Sequence, residues 1–408
     1  MTIAHKKTQR DIRIDDLRQP VLSDTAQQAM DHAERHPADL SEGAVLAAAE
    51  RLTRLTDFGP DDFRPRLREL LADATTPLDR TLTFHLAVGH LAIRLRLRDL
   101  LRRHPEIHET RISEPVIIVG PARSGTTYLQ GLIAADSRLR SLRVAEACDP
   151  VPAAAGTPAA VSAPPWFTPV GPHVLAQPQV LAALLPHLRL MFQQLDPRDM
   201  AQESMLMDSN IPSDSDDQTQ HYEYMLTVLK ALQWQRGPDR WVLKSPMHCE
   251  HLGPLMATFP DARVVMTHRD PIALVQSHAT MFAYFARLHS TKVDTDAVFA
   301  ASVDRIESML RLQVRDRHLI RDDRVTDVLF HEFTADPLAA VERVYPMAGL
   351  SLTGAQRARM TAFQGDGHPH RQGRIRYDIR ADFGVDPDRL RERFAFYYDS
   401  VPVKQEVA

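Results

Sequence analysis

The segment Pro115-Val-Ile-Ile-Val-Gly-Pro-Ala-Arg-Ser-Gly-Thr-Thr-Tyr-Leu129 constrains this chain more than any other stretch. Val116 to Val119 are an unbroken apolar run with the length of a buried strand. A turn bounded by Gly120 and Gly125 follows, then apolar residues at helical spacing, Leu129, Leu132 and Ile133. Strand, glycine turn and helix in that order gather backbone N–H groups at a helix N-terminus, which suits a phosphate-sized anion. The spacing Gly120-x-x-x-x-Gly125 is that of a Walker A loop, but Thr126 and Thr127 stand where that loop continues with Lys. The cation is instead Arg123, inside the turn. Without the Lys, a kinase or ATPase loses the charge that reaches the transferred phosphoryl group. The sequence thus predicts a loop for a phosphate-like group that does not run ordinary ATP chemistry.

The flanking sequence sets that loop in an α/β frame. From Pro115 onward, short runs rich in Val, Ile, Leu and Met predict strands near 116–119, 140–145, 241–244, 263–267 and 325–331. Helical patterns fit between them at 125–135, 249–259 and 271–286, and alternating βα units predict a mostly parallel sheet flanked by helices. Residues 1–112 read as a helical N-terminal region, with a long amphipathic stretch from Leu78 to Arg103. Residues 113–408 read as the α/β domain, interrupted at about 150–233 by a Pro/Ala-rich loop and a Met-rich helical cap insert. Residues 363–384 read as a basic loop, and a last helix starts at Pro387.

Composition narrows the partners. A net charge of −4 gives no global basic surface, so nucleic acid is not an expected partner. No apolar run is long enough for a membrane span, and the charged N-terminus lacks the apolar core of a signal peptide. Cys148 and Cys249 are the only cysteines, which points to a reducing cytoplasm, and the Ala, Arg, Asp and Pro content suggests a bacterial source.

In an open parallel sheet, ligands bind beyond the carboxyl ends of the strands. The residues that follow the expected strands are the Gly120–Thr127 loop, then Glu146, then Lys244, Ser245 and His248, then His268, Arg269 and Asp270. Asp270 before Pro271 also has the pattern of a helix N-cap with Pro at the first helical position. The run His248-Cys-Glu-His251 is not a clean zinc pattern, so no metal is expected.

Three blocks resemble the PAPS-dependent sulfotransferases, in a bacterial branch of that P-loop-like superfamily; PAPS is 3′-phosphoadenylyl sulfate. Arg123-Ser-Gly-Thr-Thr127 is similar to the family's 5′-phosphosulfate loop. Arg269-Asp-Pro-Ile-Ala-Leu-Val-Gln-Ser277 is similar to its 3′-phosphate site, with an Arg at a strand end, a Pro two residues later and a Ser eight after the Arg. Trp241-Val-Leu-Lys-Ser-Pro246 is similar to the strand that bears an active-site Lys. A weaker block, His370-Arg-Gln-Gly-Arg-Ile-Arg-Tyr377 with Asp382-Phe-Gly384, looks like a C-terminal loop that closes over the donor.

The resemblance implies that Arg123, Ser124, Gly125, Thr126, Thr127, Arg269, Ser277, Gly373 and Arg374 bind PAPS, with PAP as product. It implies a hydroxyl acceptor, and the apolar insert leans towards a small-molecule or lipid-like one. Sulfuryl transfer develops charge on the bridging oxygen of the leaving nucleotide, and Arg123 and Lys244 suit its stabilisation. Less negative charge is involved than in γ-phosphoryl transfer, so no obligatory Mg²⁺ is needed. The acceptor needs a base, and the candidates are Glu146 and His248. The resemblance favours Glu146, expected to face Arg123 and Lys244, because His248 lies four residues after Lys244 rather than two. The alternatives are an atypical P-loop kinase and a non-catalytic nucleotide-binding protein.

Overall fold

The apolar runs that read as strands build one parallel sheet. The computed structural model describes residues 11–151, 200, 206, 218–237, 240–288, 292–366 and 374–407. Its chain starts with β1 (Asp11–Ile12) and the helices α1 (Asp24–Arg35), α2 (Glu42–Thr53), α3 (Arg64–Asp73) and α4 (Pro77–Arg103). Next come β2 (Val116–Val119), α5 (Thr126–Ala134), β3 (Leu139–Ser141), α6 (Val144–Cys148), α7 (Thr219–Arg236) and β4 (Arg240–Ser245). They are followed by α8 (Leu252–Thr258), β5 (Arg263–His268), α9 (Pro271–Phe285), α10 (Thr295–Asp316) and β6 (Val325–Leu329). The C-terminal part holds α11 (Phe330–Ala335), α12 (Pro337–Met347), α13 (Gly354–Asp366), β7 (Arg374–Ile375), α14 (Ile379–Phe383), α15 (Pro387–Arg393) and α16 (Ala395–Ser400).

The main sheet has the order β3-β4-β2-β5-β6, and every pairing in it is parallel. From β2 the chain goes to the edge strand β3, returns inward to β4 beside β2, then crosses to β5 and β6 on the other side. The strand order therefore reverses at β2, which places the crevice for a ligand at the β2 carboxyl end. Period-two alternation sorts the faces. Val116 and Ile118 of β2, with Val242 and Val265, pack under Leu129, Leu132 and Ile133 of α5 and Val341 and Val344 of α12. Ile117 and Val119, with Trp241 and Leu243, pack on the opposite face against Met225, Val228 and Leu229 of α7 and Leu252 of α8.

The N-terminal helices follow their sequence signals. The Thr76 hydroxyl accepts from the Asp79 N–H, Pro77 opens α4, and Arg102 and Arg103 close it. Val88, Leu91 and Leu95 of α4 pack with α2 and α3, while Leu97 and Leu100 reach the core under the sheet. Ala26, Ala29 and Ala33 of α1, which packs on α4, belong to the same core as Ile272, Val275 and Tyr284 of α9, and β1 pairs with β7 in parallel.

The structure departs from the sequence reading at element ends. The strand expected over 140–145 stops at Ser141, because Glu146 caps the Arg143 N–H at 2.9 Å and turns Val144–Cys148 into a helix. α13 and α14 occupy parts of the stretch read as a basic loop. The loop expected over 150–180, and most of the cap insert, lie outside the described residues. Among the described residues no helix is long and apolar enough to cross a membrane.

Candidate active site

Gly120 ends β2 where a side chain has no room: a Cβ there would lie 1.8 Å from the Thr267 hydroxyl oxygen of β5. The loop then winds tightly. Ser124 donates its hydroxyl to the Pro121 carbonyl at 2.7 Å and meets the Thr267 hydroxyl at 2.6 Å. Arg123 and Gly125 both have left-handed backbones, φ +74° and +85°. For Gly125 that is free; for Arg123 it is an uncommon conformation that the surroundings must hold. α5 starts at Thr126, and the first N–H groups of a helix have no intrahelical acceptor. Thr126 is buried and Thr127 half-buried.

Arg123 ties the loop to α9. Its Nε donates to the Ser277 hydroxyl at 3.0 Å, and its Nη2 donates to the Tyr377 hydroxyl at 3.1 Å. Arg269, directly after β5, donates from Nη1 to the Arg123 carbonyl at 2.6 Å and so braces the left-handed residue. The Phe330 ring lies 4.0 Å from the Arg269 guanidinium carbon. Asp270 accepts from the Ile272 N–H at 3.2 Å, the N-cap expected from the sequence. Residues 154 and 146 positions apart thus meet at one loop.

Lys244 is 1% exposed and lies beside Ile118 of β2. By alternation its side chain leaves β4 on the face of Val242, the face covered by α5, so it runs towards the helix that the loop opens. His248 sits in the turn that follows β4 (Pro246–Cys249), fully buried, with Nδ1 at 2.7 Å from the Tyr222 hydroxyl of α7. Burial first, then the charges of His248, Arg305 and His221, lower the pKa of nearby His251 to about 4. Both thiols are buried, and that burial raises the pKa values of Cys148 and Cys249 and so disfavours the thiolate.

Glu146 is not where the sequence put it. Its carboxylate binds Arg140 at 2.9 Å and Arg236 at 2.6 Å as well as the Arg143 N–H. Arg140 stacks on Trp241, with the guanidinium carbon 4.4 Å from the ring centre, on the α7 face of the sheet. Arg140 is also in register with Trp241, three residues before Lys244 on β4 and roughly 10 Å short of it at about 3.3 Å per residue. Glu146 therefore faces the opposite side of the sheet from Lys244. The reason is local: once the capping turn replaces the end of β3, the side chain folds back onto its own helix start.

Of the remaining expected contacts, Gly373 lies outside the described residues, and Arg374 is exposed in β7 beside Asp11. The sequence reading missed Thr267, Tyr222, Tyr377 and Glu406, whose carboxylate accepts from Arg269 Nη2 at 2.6 Å. Tyr377 closes the block His370–Tyr377, which is the only sequence signal any of them has. Among the described residues no group of side chains could hold a metal ion.

The chain matches the family model described as the sulfotransferase family over residues 115–354, more than half its length. The fold is similar to that of sulfotransferase STF9 from Mycobacterium avium, with a TM-score of 0.71 at 22% identity over 91% of this chain and 99% of that one. It is also similar to sulfotransferase STF1 from Mycobacterium tuberculosis H37Rv, with a TM-score of 0.67 at 25% identity over 87% of this chain and 98% of that one. No curated protein matches the chain in sequence.

Proposed function

This chain belongs to the sulfotransferase family, and we propose that it moves a sulfuryl group from PAPS to a hydroxyl of a small-molecule or lipid-like acceptor. The observation that carries this reading is the meeting of three distant segments: Arg123 donates to Ser277 and accepts from Arg269. A donor with charged groups at both its 5′ and 3′ ends needs two anion sites held in fixed relation. The loop supplies one, and Arg269 with Ser277 supplies the other. The cradle fits such a donor: glycine at 120 keeps the loop against β5, and the N-terminus of α5 opens beside it.

The donor, when bound, supplies an activated sulfuryl group. Loop N–H groups and Arg123 hold the 5′ side, and Lys244 is directed towards the charge that develops on the leaving oxygen. A fixed, buried cation needs little reorganisation as that charge appears. The acceptor proton needs a base, and we assign it to His248 rather than Glu146. His248 sits at the loop edge of the sheet, whereas Glu146 is engaged by Arg140, Arg236 and the backbone. The 2.7 Å contact between Nδ1 and the Tyr222 hydroxyl fixes the orientation of the imidazole. The acceptor class rests on the apolar, Met-rich sequence of the insert; Met225, one of its methionines, is spent on the core.

Calorimetry tests the reading. Arg269→Ala is expected to weaken PAP binding by roughly 2 kcal/mol, the cost of leaving an anion without its half-buried partner. It is expected to weaken ADP, which has no 3′-phosphate, by much less, since for that ligand only the brace on the Arg123 carbonyl is lost. Equal losses for both ligands would overturn the assignment.

A further inference from the structure

The C-terminal segment after α16 returns to the guanidinium that the donor needs. The Glu406 carboxylate accepts from Arg269 Nε at 2.9 and 3.1 Å and from Nη2 at 2.6 Å. The arrangement is held from behind. The Glu406 N–H donates to Asp270 at 2.8 Å, Tyr398 donates to the same carboxylate, and Arg391 donates to the Val407 carbonyl. Val403 and Val407 pack against the core that contains Ile272 and Leu274. Arg269 is thereby fully engaged: Nη1 serves the Arg123 carbonyl, one face lies on Phe330, and the Nε/Nη2 edge holds Glu406. That edge is the one a guanidinium offers to a phosphate bidentately.

We propose that Glu406 is an internal competitor of the donor's 3′-phosphate. The inference rests on the donor-site reading above. The carboxylate occupies the Arg269 edge when no nucleotide is bound, and swings aside when a 3′-phosphate arrives. It returns as PAP leaves, which shortens the life of the product complex. The side chain can make this exchange because it is a quarter exposed (25%) and the tail's anchors on Asp270 and Arg391 do not use it. A phosphate carries more negative charge than a carboxylate and has the Ser277 hydroxyl within the same cluster, so it wins the exchange. The anchored backbone keeps the carboxylate at high local concentration, so the competition is effective although the pair is partly solvated.

The test is calorimetry and stopped-flow release on the full chain, with PAP and ADP as probes, comparing wild type, Glu406→Gln and Arg269→Ala. Removing the competitor is expected to tighten PAP binding about fivefold, because no tethered carboxylate displaces the bound phosphate. PAP release is expected to slow by a similar factor, with ADP affinity unchanged. Unaltered or weaker PAP binding by Glu406→Gln overturns the proposal; weaker binding would make Glu406 a residue that orients Arg269. If Arg269→Ala keeps the wild-type preference for PAP over ADP, the donor-site reading fails and the inference falls with it. If Arg269→Ala loses that preference while Glu406→Gln does not tighten PAP, the inference alone fails.

Discussion

Arg123 combines a left-handed backbone, φ +74°, with two side-chain bonds and one main-chain bond to other segments. A non-glycine residue in that region costs on the order of 1 kcal/mol or more, which the Arg269 bond to its carbonyl offsets. Glu146 shows the converse case of a carboxylate used by the fold. Its side chain is 3% exposed and pairs with Arg140, itself 11% exposed. Breaking such a pair leaves a buried charge uncompensated. Glu146→Gln is therefore expected to lower stability by about 3 kcal/mol with little effect on turnover per folded molecule. His248→Gln is expected to cut kcat by about 10²–10⁴ with PAP affinity near wild type. Chemical denaturation and donor-consumption rates measure the two effects. A stable, inactive Glu146→Gln beside an active His248→Gln would exchange the roles.

The elements were legible where their signals are local. The β2 run, the glycine turn and the α5 periodicity occupy consecutive residues, and the Asp270-Pro271 cap of α9 lies in two adjacent positions. Arg269 and Ser277 were legible as a spacing, but their shared contact with Arg123 exists only once β2 and β5 pair. The direction of the Glu146 side chain was not legible, because position after a strand does not fix a side chain's face; the capping turn after Ser141 decides that. Gly120 tests the register of β2 against β5 at this scale. Gly120→Ala is expected to cost about 1–3 kcal/mol, because the new Cβ meets the Thr267 hydroxyl. It is also expected to weaken PAP binding by shifting the loop. Adding Thr267→Ala should restore part of the stability; a Gly120→Ala protein that melts and binds PAP like wild type would show the close approach to be unimportant.

Across the whole molecule, the N-terminal helices and the C-terminal tail share cores with the α/β part, as Ala29 does with Ile272 and Val407 with Leu274. Neither contact could be read from sequence, because Ala-rich helix faces and short tails carry no address for their partners. α4 links the cores and buries His90, whose ring nitrogens have no hydrogen-bond partner among the described residues. Burial lowers its pKa to about 4, below the usual value of 6.5. The folded chain thus holds this imidazole neutral while the unfolded chain binds a proton below pH 6.5. Stability is fully present above that pH and falls on acidification towards pH 4, by up to about 1.4 kcal/mol per pH unit from this group. Denaturation at pH 7 and pH 5 is expected to show that loss, and His90→Leu to reduce it; an equal loss in both proteins would remove His90 as the cause.

The central claim is that the loop and Arg269 together bind a 3′-phosphorylated donor. The most direct measurement is the affinity of the wild-type chain for PAP, ADP and ATP, by calorimetry in chelator and again with Mg²⁺. The expected result is PAP binding at least about tenfold tighter than ADP or ATP, a gap of about 1.4 kcal/mol, and unchanged by chelation. Tighter binding of ATP with Mg²⁺ than of PAP, or equal binding of PAP and ADP, would contradict it.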